Sequence, residues 1–262
     1  MSEYQILKKA FTGGKITDIF IVDCHGHLGL WKDSFPFKVE IEVIIQDMDR
    51  IGIDVVCLNK FNCPDIKLAN DDIGKAVKSY PDRVVGFAAT VPSLGKENTE
   101  DELKRCFDEL GFKGIKVHEG YDTFYLRDQV GLPEYQSAVE SIWEFAAEKR
   151  CSVLCHGLIT PEVAKRYPEA IFIIAHAGGD RRTVWRYADQ KNVYFDTAAS
   201  STLRGNIEWI VEKVGVERVL YGSDLPYANP AYRIGQVIGT RLKDEVLRKI
   251  LGENMANILK KE

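Results

Sequence analysis

Eight short apolar runs, each followed by a segment of helical periodicity, constrain this fold more than any other feature of the chain. The runs cover residues 19–22, 53–58, 84–91, 114–118, 152–156, 171–175, 193–196 and 218–222, each bounded by polar, Gly or Pro residues. Several are apolar without alternation, as in Ile171-Phe172-Ile173-Ile174-Ala175. Strands read this way when both faces of a parallel sheet are covered by helices. Helical spacing is clear at Ile41, Ile44, Ile45 and Met48, at Tyr135, Ala138, Val139, Ile142 and Ala146, and at Leu203, Ile207, Ile210, Val211 and Val214. Thr160-Pro161-Glu162 reads as a helix cap followed by proline at the first helical position. Val246 to Leu259 supplies a last helix or two, with Gly252 as the break.

Parallel strands need crossovers, and the right-handed rule wraps the crossover helices around one side of the sheet. Eight repeats in 262 residues match the ~250 residues of a (β/α)8 barrel. The expectation is therefore an α/β fold, a TIM barrel forming a single domain over residues 1–262 with C-terminal helices. An open doubly wound sheet is the competing architecture. It is disfavoured because Asp23-Cys24-His25-Gly26-His27, and no glycine fingerprint, follows the first strand.

A formal net charge of -4 argues against a nucleic-acid partner, which would demand a basic face. Arg181-Arg182 and Lys260-Lys261 do not make one. No run approaches the ~20 apolar residues of a membrane span, and residues 1–17 lack a signal-peptide core, so a cytoplasmic protein without membrane association is expected. The six cysteines form no compact framework and read as reduced thiols.

All five histidines fall at the ends of the apolar runs: His25 and His27 at the first, His118 at the fourth, His156 at the fifth, His176 at the sixth. Asp224 follows the eighth. In a barrel these ends share one face, where barrel enzymes assemble their sites. His25 and His27, one residue apart on an extended backbone, project to the same side and can grip one cation, while Cys24 and Gly26 turn away. His156 and Asp224 bring the set to three nitrogens and one oxygen, which suits zinc best, with manganese or iron as alternatives. Lys116 shares a strand face with His118, and an interior carboxylate such as Asp23 is its expected partner. A lysine here can also be carboxylated to bridge two metals, but without supporting ligands the reading is one divalent metal. Trp31, Tyr121, Tyr227 and Arg204 follow strands one, four, eight and seven and could line a pocket. Arg127, Arg181, Arg182 and Arg204 are candidate clamps for a substrate carboxylate.

These residues resemble the amidohydrolase-related family, the metal-dependent TIM-barrel hydrolases and decarboxylases of the amidohydrolase superfamily. The resemblance runs from Ile21 almost to the C-terminus. It is carried by Val22-Asp23-Cys24-His25-Gly26-His27, Gly114-Ile115-Lys116-Val117-His118, Val153-Leu154-Cys155-His156 and Ile173-Ile174-Ala175-His176-Ala177-Gly178-Gly179. Three later stretches, beginning at Val193, Arg218 and Ile250, look like it too. The resemblance implies that His25, His27, His156 and Asp224 bind the metal, that His176 is a base or substrate-polarising group, and that His118 faces the substrate. Glu119-Gly120 departs from the proline that many relatives carry there, which bears on loop shape and substrate.

A bound divalent cation lowers the pKa of its water to about 7. Asp224 would take the proton, and His176 would stabilise the developing oxyanion. The expected reaction is hydrolysis of an ester, lactone or amide of a small molecule, since the chain is compact where the family's decarboxylases run longer. Decarboxylation of an unsaturated or aromatic acid is the competing enzyme reading, and a non-catalytic metal-binding barrel is the third. A homodimer is expected by analogy with other barrels.

Overall fold

The computed structural model describes residues 5–6, 16, 18–29, 39–60, 65–119, 131–177, 181–198 and 203–260. Eight strands form one sheet in the order β1 to β8: Val22–His27, Val55–Asn59, Val84–Ala89, Gly114–His118, Ser152–His156, Ile171–Ile174, Val193–Asp196 and Val219–Leu220. Every neighbouring pair is parallel. β8 returns to β1 through hydrogen bonds from Cys24 N to Tyr221 O (2.9 Å) and from His27 N to Leu225 O (2.8 Å), so the barrel is nearly closed.

The helices alternate with the strands as the periodicity predicts. They are α1 (Ile41–Ile51), α2 (Ile66–Ser79), α3 (Lys96–Asp108), α4 (Pro133–Lys149), α5 (Pro161–Arg166), α6 (Arg181–Tyr187), α7 (Asn206–Val214) and α8 (Pro230–Ile238). The apolar stripes expected on α1 and α4 are the buried ones: Ile44, Ile45 and Met48, and Tyr135, Ala138, Val139, Ile142 and Ala146. Thr160 caps α5 by accepting a hydrogen bond from Val163 N, with Pro161 at the first position. Leu203 differs from expectation. It precedes α7, is 66% exposed and takes no part in the helix, whose buried side is supplied by Ile210 and Val214.

Two apolar layers follow from the alternation of strand side chains. The larger lies between strands and helices. The smaller joins Val22, Cys24, Cys57, Phe87, Leu154, Ile173 and Leu220, residues from strands all around the sheet, and so fills the barrel interior. Met255 and Ile258 of the last helix, α10 (Asn254–Leu259), close it from below. This placement corrects one expectation: Cys24 faces the interior instead of the helices. The cause is a bulge in β1. Between Asp23 and Gly26 the register gains a residue against β2, since Asp23 pairs with Val56 and Gly26 with Leu58. Simple alternation therefore fails there, and the bulge lets Cys24 and His25 both serve the interior side. Cys155, on a strand without a bulge, packs in the layer toward the helices.

The C-terminal segment after α9 (Asp244–Arg248) makes one π-helical turn at Lys249–Glu253 before α10. Asn254 Nδ2 donates to the carbonyls of Val216 (2.7 Å) and Val219 (2.9 Å), and Tyr221 N donates to Ile250 O (2.8 Å), which fastens this segment to β8. Gly252 lies so close to the Phe20 carbonyl that a Cβ would overlap it. Gly252→Ala should lower stability by about 1–3 kcal/mol, through displacement of α10 from the barrel floor. Chemical denaturation of the two proteins checks this; an unchanged midpoint would show that the contact yields freely.

Candidate metal centre

The strand ends bring all five histidines to one mouth. His25 lies 5.0 Å, ring centre to ring centre, from both His27 and His176, His176 lies 5.1 Å from His156, and His156 stacks on His118 at 4.1 Å. His25 and His27 are buried, whereas His118, His156, His176 and Asp224 are half-buried around the opening. Tyr227 stands over His27 at 5.1 Å. Arg204 is exposed and lines a separate surface cavity of about 290 Å³ with Tyr232 and Arg241. Trp31, Tyr121, Arg127 and the segments 30–38 and 120–130 lie outside the described residues.

His25, His27 and Asp224 each present a ligand atom within 4.8 Å of the others. Their orientation is imposed from behind. His25 Nδ1 donates to Asp196 Oδ2 at 2.7 Å, leaving Nε2 directed at Asp224 Oδ1, 3.7 Å away. For His27 the tautomer follows from Asn59: its Nδ2 donates to the Gly26 carbonyl (3.1 Å), so Oδ1 faces His27 Nδ1 (3.0 Å) and takes its proton. His27 Nε2 then shows a lone pair to Asp224 Oδ1 at 3.0 Å. Two acceptors so close repel unless a cation lies against both. The donor set, two neutral imidazoles and one carboxylate, fits a divalent metal.

Charge states agree with this use. Burial, then the nearby Lys116, holds His25 well below the ordinary imidazole value. Burial likewise lowers His27, although the negative charge of the adjoining Asp224 opposes it. Burial alone would raise Asp224, but the imidazoles of His27, His25 and His176 around it outweigh that and hold the carboxyl well below its usual range. Ligands are thus ready in their deprotonated forms.

His156, expected as the fourth ligand, is not in the close group. It sits in the same group of imidazoles, and among the described residues its buried Nδ1 has no hydrogen-bond partner. Lys116 corrects another expectation. Its Nζ meets His25 Nε2 at 3.2 Å and not the carboxylate of Asp23, whose Oδ1 instead accepts from the backbone N of His25 (3.1 Å) and Ser223 (2.9 Å). Burial pulls Lys116 down to about 8.

Sequence reasoning assigned no role to Asp196 or Asn59. Asp196 is fully buried at the end of β7 and, besides orienting His25, accepts from the backbone N of His176 (2.7 Å) and Ala198 (3.1 Å) through Oδ1. His176 needs that anchor, because its φ of 57° is left-handed, as is the 63° of Asp224. Such backbone costs about 1–3 kcal/mol per residue and persists where the surroundings fix it. Asp224 is fixed by its N donating to His25 O at 2.8 Å. A signal for Asp196 did exist: like the histidines, it ends a strand on the same face.

Asp196→Asn should fold but weaken metal affinity roughly 10- to 100-fold, because an amide is a poorer acceptor for His25 Nδ1 and can turn its donor group toward it. Calorimetric titration with Mn2+ or Zn2+ measures this; equal affinity in the variant would remove Asp196 from the support of the site.

Comparison with known proteins agrees with the fold. The amidohydrolase family model matches residues 22–260. The chain is 24% identical over 282 aligned positions to gamma-resorcylate decarboxylase of Polaromonas sp. (strain JS666), covering 81% of this chain and 85% of that protein. It is 22% identical over 274 positions to 2-amino-3-carboxymuconate-6-semialdehyde decarboxylase of Dictyostelium discoideum, covering 83% and 76%. Among solved structures, 2,6-dihydroxybenzoate decarboxylase in complex with 2,6-dihydroxybenzoate superposes with a TM-score of 0.73 at 19% identity, over 92% of this chain and 99% of that one. The dihydroxybenzoic acid decarboxylase of Polaromonas sp. JS666, with bound manganese and 2-nitroresorcinol, gives 0.71 at 18% identity, over 92% and 97%. With the family match spanning nearly the whole sequence and the histidine-rich mouth at the strand ends, this chain belongs to the amidohydrolase family.

Proposed function

We propose that this enzyme is a metal-dependent decarboxylase acting on a small aromatic or unsaturated carboxylic acid. The observation that carries the reading is the likeness, over more than four-fifths of the chain, to proteins that decarboxylate such acids. Hydrolysis, toward which the compactness of the chain leans, would use the same ligands, so the ligand set itself does not favour it. The alignment with the Polaromonas protein has 282 positions against 262 residues here, so that relative carries insertions this chain lacks. Shortened loops bear on which acid fits, and leave the strand-end residues in place.

His25 Nε2, His27 Nε2 and an Asp224 oxygen would hold the metal, with His156 as the fourth donor from across the mouth. Zinc, manganese and iron are the candidate metals, and manganese is the one bound in a related structure. A bound divalent cation would supply Lewis acidity, favouring the negative charge that develops on the substrate as CO2 is lost. The chain's own residues do the rest. Asp224, held strongly ionised, is better suited to ligation than to carrying a proton. Proton delivery to the carbon that loses CO2 falls to the His176 imidazole, whose backbone is pinned by Asp196. His118, stacked on His156, faces the substrate, and Tyr227 beside His27 offers an aromatic wall.

Incubating the Mn2+- or Zn2+-loaded enzyme with a panel of hydroxybenzoates, unsaturated acids, lactones and amides should release CO2 from an acid. Incorporation of solvent oxygen into a lactone or amide product, with no CO2, would instead establish the hydrolase. His176→Asn should retain its metal while kcat falls by about 10²-fold or more. Full turnover in that variant would take His176 out of the chemistry.

A further inference from the structure

Among the described residues, Lys116 is a cation without an ion-paired carboxylate at the floor of the site. Its side chain points into the barrel from the middle of β4 and is wholly buried. Its hydrogen-bond partner is His25 Nε2 at 3.2 Å, the atom aimed at the metal position. Among the described residues no carboxylate lies within ion-pair distance of Nζ; Asp224 and Asp196 act on it only from farther away. A buried ammonium without a paired anion is costly, and the cost is relieved by a close, hydrogen-bonded negative charge.

Engaging His25 Nε2 as a ligand removes the one acceptor that Lys116 Nζ has among the described residues. It also places a second positive charge beside the first, in surroundings where charges interact strongly. Asp224 offsets part of this, and Asp196 is already committed to His25 and to two backbone amides. The loaded site is therefore short of one anion next to Nζ. His118 lies two residues farther along the same strand face, half-buried at the opening, which puts Nζ beneath the side of the mouth assigned to substrate.

We propose that Lys116 binds the carboxylate of the substrate, holding it against the metal position with a charge-assisted hydrogen bond from Nζ. Lys116 is thereby the residue that selects acids over their neutral analogues. The choice of a carboxylate ligand rests on the decarboxylase reading, while the missing anion is a property of the site itself.

The test uses the Mn2+-loaded full chain and two unreactive probes of equal shape, benzoate and its neutral counterpart benzamide. In calorimetric titrations Lys116→Met should weaken benzoate roughly 10- to 100-fold and change benzamide less than about twofold, with manganese content unchanged. On an acid that turns over, KM should rise more than kcat falls. Lys116→Gln is the second variant should the methionine form fail to fold, and a crystal structure of the wild type with benzoate should place a carboxylate oxygen within hydrogen-bond distance of Nζ. Equal losses for both probes, unchanged benzoate affinity, failure of the wild type to bind benzoate, or a CO2 adduct retained on Lys116 by mass spectrometry would each overturn the proposal. Benzoate bound through Lys116 without CO2 release from any acid would leave the inference standing and remove the decarboxylase reading. CO2 release with unaltered benzoate affinity in the variant would do the reverse.

Discussion

The buried carboxylate of Asp196 is the interaction on which the rest of the site depends. One of its oxygens takes the Nδ1 proton of His25 and so turns the Nε2 lone pair inward. The other holds the backbone of His176 in a left-handed conformation that an unanchored histidine rarely adopts. A single side chain at the end of β7 thus sets a ligand from β1 and the imidazole that follows β6. Burial pushes Asp196 above the usual carboxylate range, and the hydrogen bonds it accepts work against that shift. Its worth lies in the three donors aimed at it, His25 Nδ1 and the backbone N of His176 and Ala198.

Closure of the barrel supplies the second constraint. β8 is only two residues long, and its contact with β1 relies on a few specific bonds: Asp23 Oδ1 to Ser223 N, Cys24 N to Tyr221 O, and Asp224 N to His25 O. These bonds bring Asp224 to the two histidines although about 200 residues separate them in the chain. Gly222 is needed there, because a Cβ would lie 3.0 Å from that of His25 and 3.3 Å from that of Asp196. Beneath this layer the interior is apolar, filled from the strands and plugged by Met255 and Ile258. An apolar floor raises the energetic stake of every charge above it, Lys116 included.

The fold was legible in the sequence because each repeat signals itself locally. The predicted limits of β4, β5 and β7 coincide with the observed strands, and the stripes on α1 and α4 are the buried faces. Parallel strands buried on both sides leave no alternation to misread, and the ends of these three are marked by His118, His156 and Asp196. β1 was less legible. It runs through His25 and His27 instead of stopping before them, and its bulge breaks the alternation that placed Cys24 toward the helices. Leu203 fitted the helical spacing yet stayed exposed, because periodicity does not say where a helix begins.

By itself the sequence determined the eightfold strand and helix order and the presence of imidazoles at strand ends, since both depend on residue type and short-range spacing. Only the tertiary structure decided which ligand atoms converge, that Asp196 and Asn59 fix the tautomers, and that Lys116 meets His25 and not Asp23. Those choices depend on distances across the barrel, set by the register at the β1 bulge and by the closure of β8 on β1. No local pattern in the chain encodes such distances.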